Sequence, residues 1–347
     1  LHESLVAASW LAAYIRASRD KPWGALAAIA WRARTPRFHF APNMHQSPGE
    51  AATVTGVQPM TSKFVHTRGL GAVLAMGLAL APAAHAKDWK TVVIGMEGAY
   101  EPWNLTDSSG KIVGFEPDLI MDVCKRAGLE CKIIAQDWDG MIPGLKAGKF
   151  DVIMDGMSIT DERKKEIDFS KSYAVSPGAF LAPKDSPLTK APSAGALVNL
   201  DKDAAAGDAA IKGVQAALKG KTLGVQVSTT HANFASQYLK GVADVKEYKT
   251  ADDRDLDLKS GRIDASLDDY TVMAATAEKP DASGLAIVGP KFIGGMFGAG
   301  TGLGIRKSDA DLTAKFDKAL AEAIADGTVK KLSEQWFKFD LTPQPGS

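Results

Sequence analysis

Residues 138–163 read WDGMIPGLKAGKFDVIMDGMSITDER, a helix, a strand and a polar exit in succession. WDGMIPGLKAG predicts a short helix, with Met141, Ile142 and Leu145 at i, i+1 and i+4 and Gly148 as its stop. FDVIM is a short, mostly apolar run that suits a buried parallel strand. DGMSITDER leaves that strand carrying Asp155, Gly156, Ser158, Thr160 and Arg163. In an open α/β sheet, ligands bind just beyond the C-terminal ends of strands. These polar groups therefore fall where such a fold holds its ligand.

The phrase occurs twice. Residues 145–155 (LKAGKFDVIMD) are answered in register by residues 258–268 (LKSGRIDASLD). Helix end, Gly, basic residue, apolar residue, Asp, strand and terminal Asp all recur, which points to two similar α/β lobes. Two such lobes with polar strand ends facing each other make a cleft that closes on a small molecule.

Outward from this stretch, 347 residues allow about two domains. Net charge is zero, but residues 1–86 hold 8 of the 41 basic and 3 of the 41 acidic residues, leaving 87–347 at −5. A mildly acidic body gives no support to nucleic-acid binding. Residues 60–86 read as a secretory signal peptide: Lys63 and Arg68 lead, Leu70 to Leu80 form a short apolar core, and Ala84-His85-Ala86 is a cleavage site. Residues 1–59 start at Leu1 and precede that signal. They read as an upstream extension, non-native or disordered, with a helix around Leu5–Ile15 if translated. Export makes a disulfide between Cys124 and Cys131 the expected state, worth about 2–3 kcal/mol at most for so short a loop. The alternative is two reduced structural thiols. His231 is the one histidine after residue 86, so a metal site finds no support, and no cofactor is expected.

In chain order, KTVVIGM (90–96) is a first strand, followed by Glu97, Tyr100 and Trp103 in a loop at its end. Tyr100 reads as a ligand contact and Trp103 as core. Glu116, Pro117 and Asp118 suit the first turn of a helix. Residues 184–220 are of lower complexity and read as a surface insertion ending in a helix at Ala209–Leu218. KTLGVQV (221–227) is a strand carrying Gln226, and Ser228-Thr229-Thr230 caps the next helix, placing both threonines and free N–H groups where a carboxylate would bind. A strand ends in Asp268-Asp269, and GAGTGLGIR reads as a Gly-rich strand because it lacks phosphate-loop spacing. Ser308 caps a long helix with Leu312, Phe316, Leu320 and Ile324 on one face, and Val329, Leu332 and Trp336 pack a last helix.

Arg163 is the natural partner of a carboxylate, because a guanidinium forks onto two oxygens; a surface salt bridge with Asp161 or Glu166 is its alternative. Asp269 or Asp155 would meet an α-amino group. Glu97, Glu116 and Asp155 add negative charge, and Tyr100 and Trp138 would stack on a planar cation. Together these favour a zwitterion with a cationic tail.

The motifs AYEPW, GKIVGFEPDL, CKRAGLEC, the 138–163 stretch, GRIDASLDD, GTGLGIRK and the closing KKLSEQWF occur together and in order. With them the chain resembles the periplasmic solute-binding proteins of polar amino-acid ABC transporters, the lysine/arginine/ornithine and histidine group, and most of all its octopine- and nopaline-binding branch. The resemblance covers 87–339. It implies a two-lobed α/β clamshell of type II, each lobe a central mixed β-sheet flanked by helices, with two hinge crossings. Lobe 1 is expected over 87–175 plus 293–347 and lobe 2 over 176–292. It implies that Arg163 binds an α-carboxylate with help from Ser158, Thr229 and Thr230. Asp269 would meet the α-amino group, Tyr100 and Trp138 stack on the side chain, Glu97 and Glu116 lie at its far end, Gln226 lines the second lobe, and Cys124–Cys131 is bridged. Asp155 stands where lysine/arginine/ornithine receptors carry Ser, and the retained Asp269 leans toward a plain α-amino acid. Ser158 in place of Gly looks more like the octopine type. The implied function is a monomeric periplasmic receptor delivering a cationic amino acid or an arginine-derived opine to an inner-membrane ABC permease. The alternatives are a cyclohexadienyl dehydratase-like enzyme on the same scaffold, with Glu97 or Asp155 as its acid, and a sensory ligand-presenting protein.

Overall fold

A computed structural model describes residues 87–343. The expectations for residues 1–86, including the signal peptide and the Leu5–Ile15 helix, lie outside the described residues. Two mixed sheets and a small hairpin sheet carry the described chain. In the first sheet, β1 (Thr91–Met96) lies parallel between β5 (Glu130–Ala135) and β6 (Val152–Ile153), and β14 (Gly304–Ile305) and β7 (Asp168–Phe169) follow antiparallel. In the second, β10 (Thr222–Gln226) lies parallel between β11 (Asp244–Tyr248) and β12 (Ala265–Asp269). Then come β8 (Gly178–Pro183), β13 (Leu285–Ile293) and β9 (Leu197–Asn199). The third is the antiparallel β2 (Ala99–Tyr100), β3 (Asn104–Thr106) and β4 (Ile112–Val113). This is the expected two-sheet α/β architecture.

The sequence repeat has a physical counterpart. Both copies end their helix on a glycine of positive φ, Gly148 at 74° and Gly261 at 72°, where a side chain would be strained. Asp151 then accepts the Val93 amide of β1 at 3.0 Å, and Asp264 accepts the Thr222 amide of β10 at 2.8 Å. The apolar residue between that glycine and Asp packs where each first strand lacks a side chain. A Cβ on Gly95 would lie 3.0 Å from the Phe150 ring, and one on Gly224 would lie 2.5 Å from Ile263 Cδ1. Basic turn, apolar plug and carboxylate are thus one device used twice to seat a second strand beside a first.

The helices α1 (Phe115–Ala127), α8 (Ala310–Ala325) and α9 (Thr328–Phe337) pack over the first sheet, with Leu119, Val123, Phe316, Leu320 and Val329 in one buried cluster. Trp103 belongs to this core: its ring lies 5.7 Å from Phe115 and 5.0 Å from Phe337. Cys124 and Cys131 are bridged, tying the end of α1 to the start of β5. The chain crosses to the second sheet between β7 and β8 and returns between β13 and β14. Ile293 still pairs with Asn199, so the return begins just past that residue.

Three expectations are corrected. The 184–220 stretch is no surface appendage: β9 joins the edge of the second sheet, and Leu188, Val198, Ala210 and Val214 are buried in its core. Its helix, α4, spans Ala204–Ala217, starting earlier than expected because the Asp203 carboxylate accepts the Ala206 amide. The Gly-rich strand shrinks to Gly304–Ile305, with isolated bridges from Thr301 to Ser158 and Ala174. Ser308 does not cap α8; the residue before the helix is Asp309, and the Ser308 hydroxyl donates to its side chain instead.

Candidate functional site

A small cavity opens where the strand ends of the two sheets meet. Glu97, Tyr100, Trp138, Asp155, Gly156, Ser158 and Arg163 line it from the side of the first sheet, and Gln226, Thr229, Thr230, His231 and Asp269 from the side of the second. The strands explain the convergence. Glu97 follows the last residue of β1, Asp155 lies two residues past β6, and Gln226 and Asp269 are the last residues of β10 and β12. All leave the C-terminal ends of parallel strands, where an α/β sheet exposes its loops.

Glu116 is the exception among the expected site residues. It is fully buried and does not line the cavity. Its position in the first turn of α1 turns it inward, where Oε1 accepts the Gly156 amide at 2.7 Å and the Tyr173 hydroxyl, and Oε2 accepts Asn104 Nδ2 at 2.7 Å. Asn104 also donates to Asp155 Oδ1 at 2.8 Å, so Glu116 supports the cavity wall from behind. Gly156 must be glycine here. Its φ is +57°, and a Cβ would lie 2.8 Å from the Tyr100 ring.

Arg163 sits in the short helix α3 (Asp161–Glu166), whose Thr160 cap accepts its amide at 3.2 Å. Its guanidinium makes no salt bridge with Asp161 or Glu166, which pair with Lys164 and Lys146. It donates to the Ser158 carbonyl at 3.0 Å and, from the opposite sheet's side, to the Ser228 carbonyl at 3.3 Å, and it lies 5.3 Å from the Trp138 ring. Burial lowers its pKa to about 10, so it stays cationic at neutral pH. Other contacts also cross the cleft. Gln226 Nε2 donates to Glu97 at 3.0 and 3.2 Å, Trp138 Nε1 to the Val227 carbonyl at 3.0 Å, and the Tyr100 hydroxyl to Asp268 at 2.8 Å and Asp269 at 3.1 Å.

The carboxyl groups are crowded and largely buried. Burial pushes Glu97 up to about 7, against the Gln226 hydrogen bond and helped by Asp268 and Asp137. Burial and then the charges of Glu97 and Glu116 hold Asp155 well above its ordinary value, and burial and then Asp268 do the same to Asp269. Asp155 Oδ2 is buried with no hydrogen-bond partner. The same holds for Nε2 of His231, a residue that was not among the expected ligand contacts. His231 follows two threonines whose position was legible, but nothing in THANF distinguishes a cavity histidine from a core one. Burial lowers its pKa to about 4, so it is neutral at pH 7. One guanidinium and three carboxyl groups lining one cavity suit a small molecule with one carboxylate and more than one positive group.

The chain is also similar to known proteins. The chain is 40% identical over 292 residues to the octopine-binding periplasmic protein of Rhizobium meliloti, covering 79% of this chain and 99% of that one. It is 36% identical over 276 residues to the lysine/arginine/ornithine-binding periplasmic protein of Escherichia coli K12, covering 77% and 95%. The solved structure of an ancestral arginine-binding protein bound to arginine superposes with a TM-score of 0.60 at 32% identity, covering 73% of this chain and all of that one. Residues 92–339 match the model of one family, and the chain belongs to it: the bacterial extracellular solute-binding proteins, family 3.

Proposed function

We propose that the cavity binds an α-amino acid with a cationic side chain, arginine being the best match, and that the protein hands it to an ABC permease from the periplasm. The observation that carries this reading is the charge balance of the cavity. Glu97, Asp155 and Asp269 face one cationic side chain, Arg163, and one oxygen of Asp155 is buried without a partner. A buried carboxylate without a partner is costly, and a ligand cation removes the cost. Arg163 takes the α-carboxylate beside Ser158 and the Thr229–Thr230 turn, and Asp269 takes the α-ammonium. Tyr100 and Trp138 flank the side chain, and Glu97 and Asp155 meet its distal cation. Residues 87–175 plus 293–347 act as one lobe and 176–292 as the other, closing as a monomer around the ligand after a signal over 60–86 has directed export.

An arginine-derived opine is the second reading, favoured by the 40% identity to an octopine-binding protein. Such a ligand carries a second carboxylate, and the cavity holds no second cation for it, since His231 is neutral. Charge therefore favours the plain amino acid. No bond is changed in either reading. A dehydratase using Glu97 as its acid would reveal itself by turnover of prephenate or arogenate. The direct test is a calorimetric titration of L-arginine into the wild type and Arg163→Ala. Loss of one partner of a buried charge pair predicts weakening by roughly 30-fold or more; unchanged affinity in Arg163→Ala would remove Arg163 from the site.

A further inference from the structure

Arg254 is fully buried in α6 (Ala251–Lys259) and does not line the cavity. A guanidinium taken out of water needs carboxylates with good geometry, and two meet it. Asp255 Oδ1 accepts from Nε at 2.9 Å and lies 2.8 Å from Nη2, and Asp268 Oδ2 accepts from Nη1. Asp255 is completed within the second lobe, where its Oδ2 accepts the Thr276 hydroxyl at 2.7 Å. Asp268 reaches further. Its Oδ1 accepts the Asp269 amide at 2.7 Å and, across the cleft, the Tyr100 hydroxyl at 2.8 Å. The Tyr100 ring at the same time forms a cavity wall against Gly156.

We propose that Arg254 is a positioning residue for the ligand site: by holding Asp268 as an anion it fixes Tyr100 across the cleft and Asp269 beside it, and so sets both the cavity wall and the closed position of the lobes. This rests on the reading of the cavity as an amino-acid site. The two adjacent acids show the effect of the guanidinium. Burial pushes both upward, yet Arg254, His231 and Tyr100 outweigh it at Asp268, whose pKa ends below its ordinary value, while Asp269 ends well above. The Tyr100 hydroxyl thus has a charged acceptor in one lobe while its ring is wedged in the other.

The test is a mutant cycle on the whole protein with L-arginine as probe: wild type, Tyr100→Phe, the neutral pair Arg254→Met/Asp268→Asn, and the triple variant. If Arg254 acts through Tyr100, Tyr100→Phe and the neutral pair each weaken arginine binding by about tenfold, the scale of one hydrogen bond to a charged group, and the triple variant loses no more than the neutral pair. Losses that multiply in the triple variant would overturn the proposal and leave Arg254 a structural ion pair. Solution X-ray scattering of the four ligand-free proteins repeats the cycle without ligand. Tyr100→Phe and the neutral pair should open the particle to the same extent and the triple no further; independent effects would again overturn the proposal. A wild type that binds no arginine would refute the amino-acid reading and leave the relay judged by scattering. If the neutral pair does not fold, Arg254→Lys, which keeps the charge and loses the fork onto both acids, faces the same two outcomes.

Discussion

Asp155 and Glu97 are neighbours in the cavity, the Glu97 amide donating to Asp155 Oδ1 at 3.0 Å. Each is held in a state that suits a cation rather than the ligand-free protein. Asp155→Asn keeps the shape of the wall and removes a buried acid. We expect it to stabilise the ligand-free protein by about 1 kcal/mol, read as a higher thermal midpoint, and to weaken arginine binding by roughly tenfold. A variant that gains stability without losing affinity would take Asp155 out of the site. Glu97 gives a pH prediction. Its pKa rises from 4.5 unfolded to about 7 folded, so between those values the folded protein binds more protons than the unfolded one. Its contribution to ligand-free stability is therefore fully present below pH 4.5 and is lost as pH rises through 7. Asp155 and Asp269, also raised, act in the same direction. Ligand-free thermal midpoints should fall between pH 5 and 7.5 while arginine affinity increases over the same window. Glu97→Gln should flatten both trends, and a midpoint that rises with pH in wild type would contradict the assignment.

At the scale of elements, the seating of a second strand by an apolar plug makes its own prediction. A Cβ at Gly224 would meet Ile263 Cδ1 at 2.5 Å and Arg254 Cγ at 2.9 Å. Gly224→Ala should cost about 1–3 kcal/mol by overpacking, seen in urea unfolding, whereas Ala at exposed Gly220, whose added Cβ meets nothing, pays only for its positive φ. Equal losses at both would mean that the plug is not tight. These paired units were legible from the sequence because the repeat keeps glycine, basic residue, apolar plug and Asp in register. Eleven of the twelve expected ligand contacts line the cavity for the same reason, since strand ends are readable and strand ends build the site. Glu116 was misplaced because a residue in the first turn of a helix points inward or outward according to packing that a single sequence does not show. His231 and Arg254 were missed because a buried charged or polar side chain announces itself through partners distant in sequence, such as Asp268, fourteen residues beyond Arg254. The 184–220 stretch looked like an appendage because its low complexity hid a three-residue edge strand, Leu197–Asn199.

At the scale of the molecule, two sheets meet with their parallel strand ends toward each other, and the groups proposed to bind are also groups that bridge. Glu97 with Gln226, Tyr100 with Asp268 and Asp269, and Arg163 with Ser228 all span the cleft. A ligand that joins Arg163 to Asp269 and reaches Glu97 would therefore stabilise the closed arrangement by contacts made with both lobes at once. Calorimetry on residues 87–347, unfolded and refolded to strip carried-over ligand and titrated first with L-arginine and then with octopine, separates the two ligands. Tight binding of arginine and weaker binding of octopine are expected, because the cavity offers three carboxyl groups and one guanidinium. Tight octopine binding with weak arginine binding would contradict the arginine assignment, and would mean that a second carboxylate finds a partner in the cavity other than Arg163.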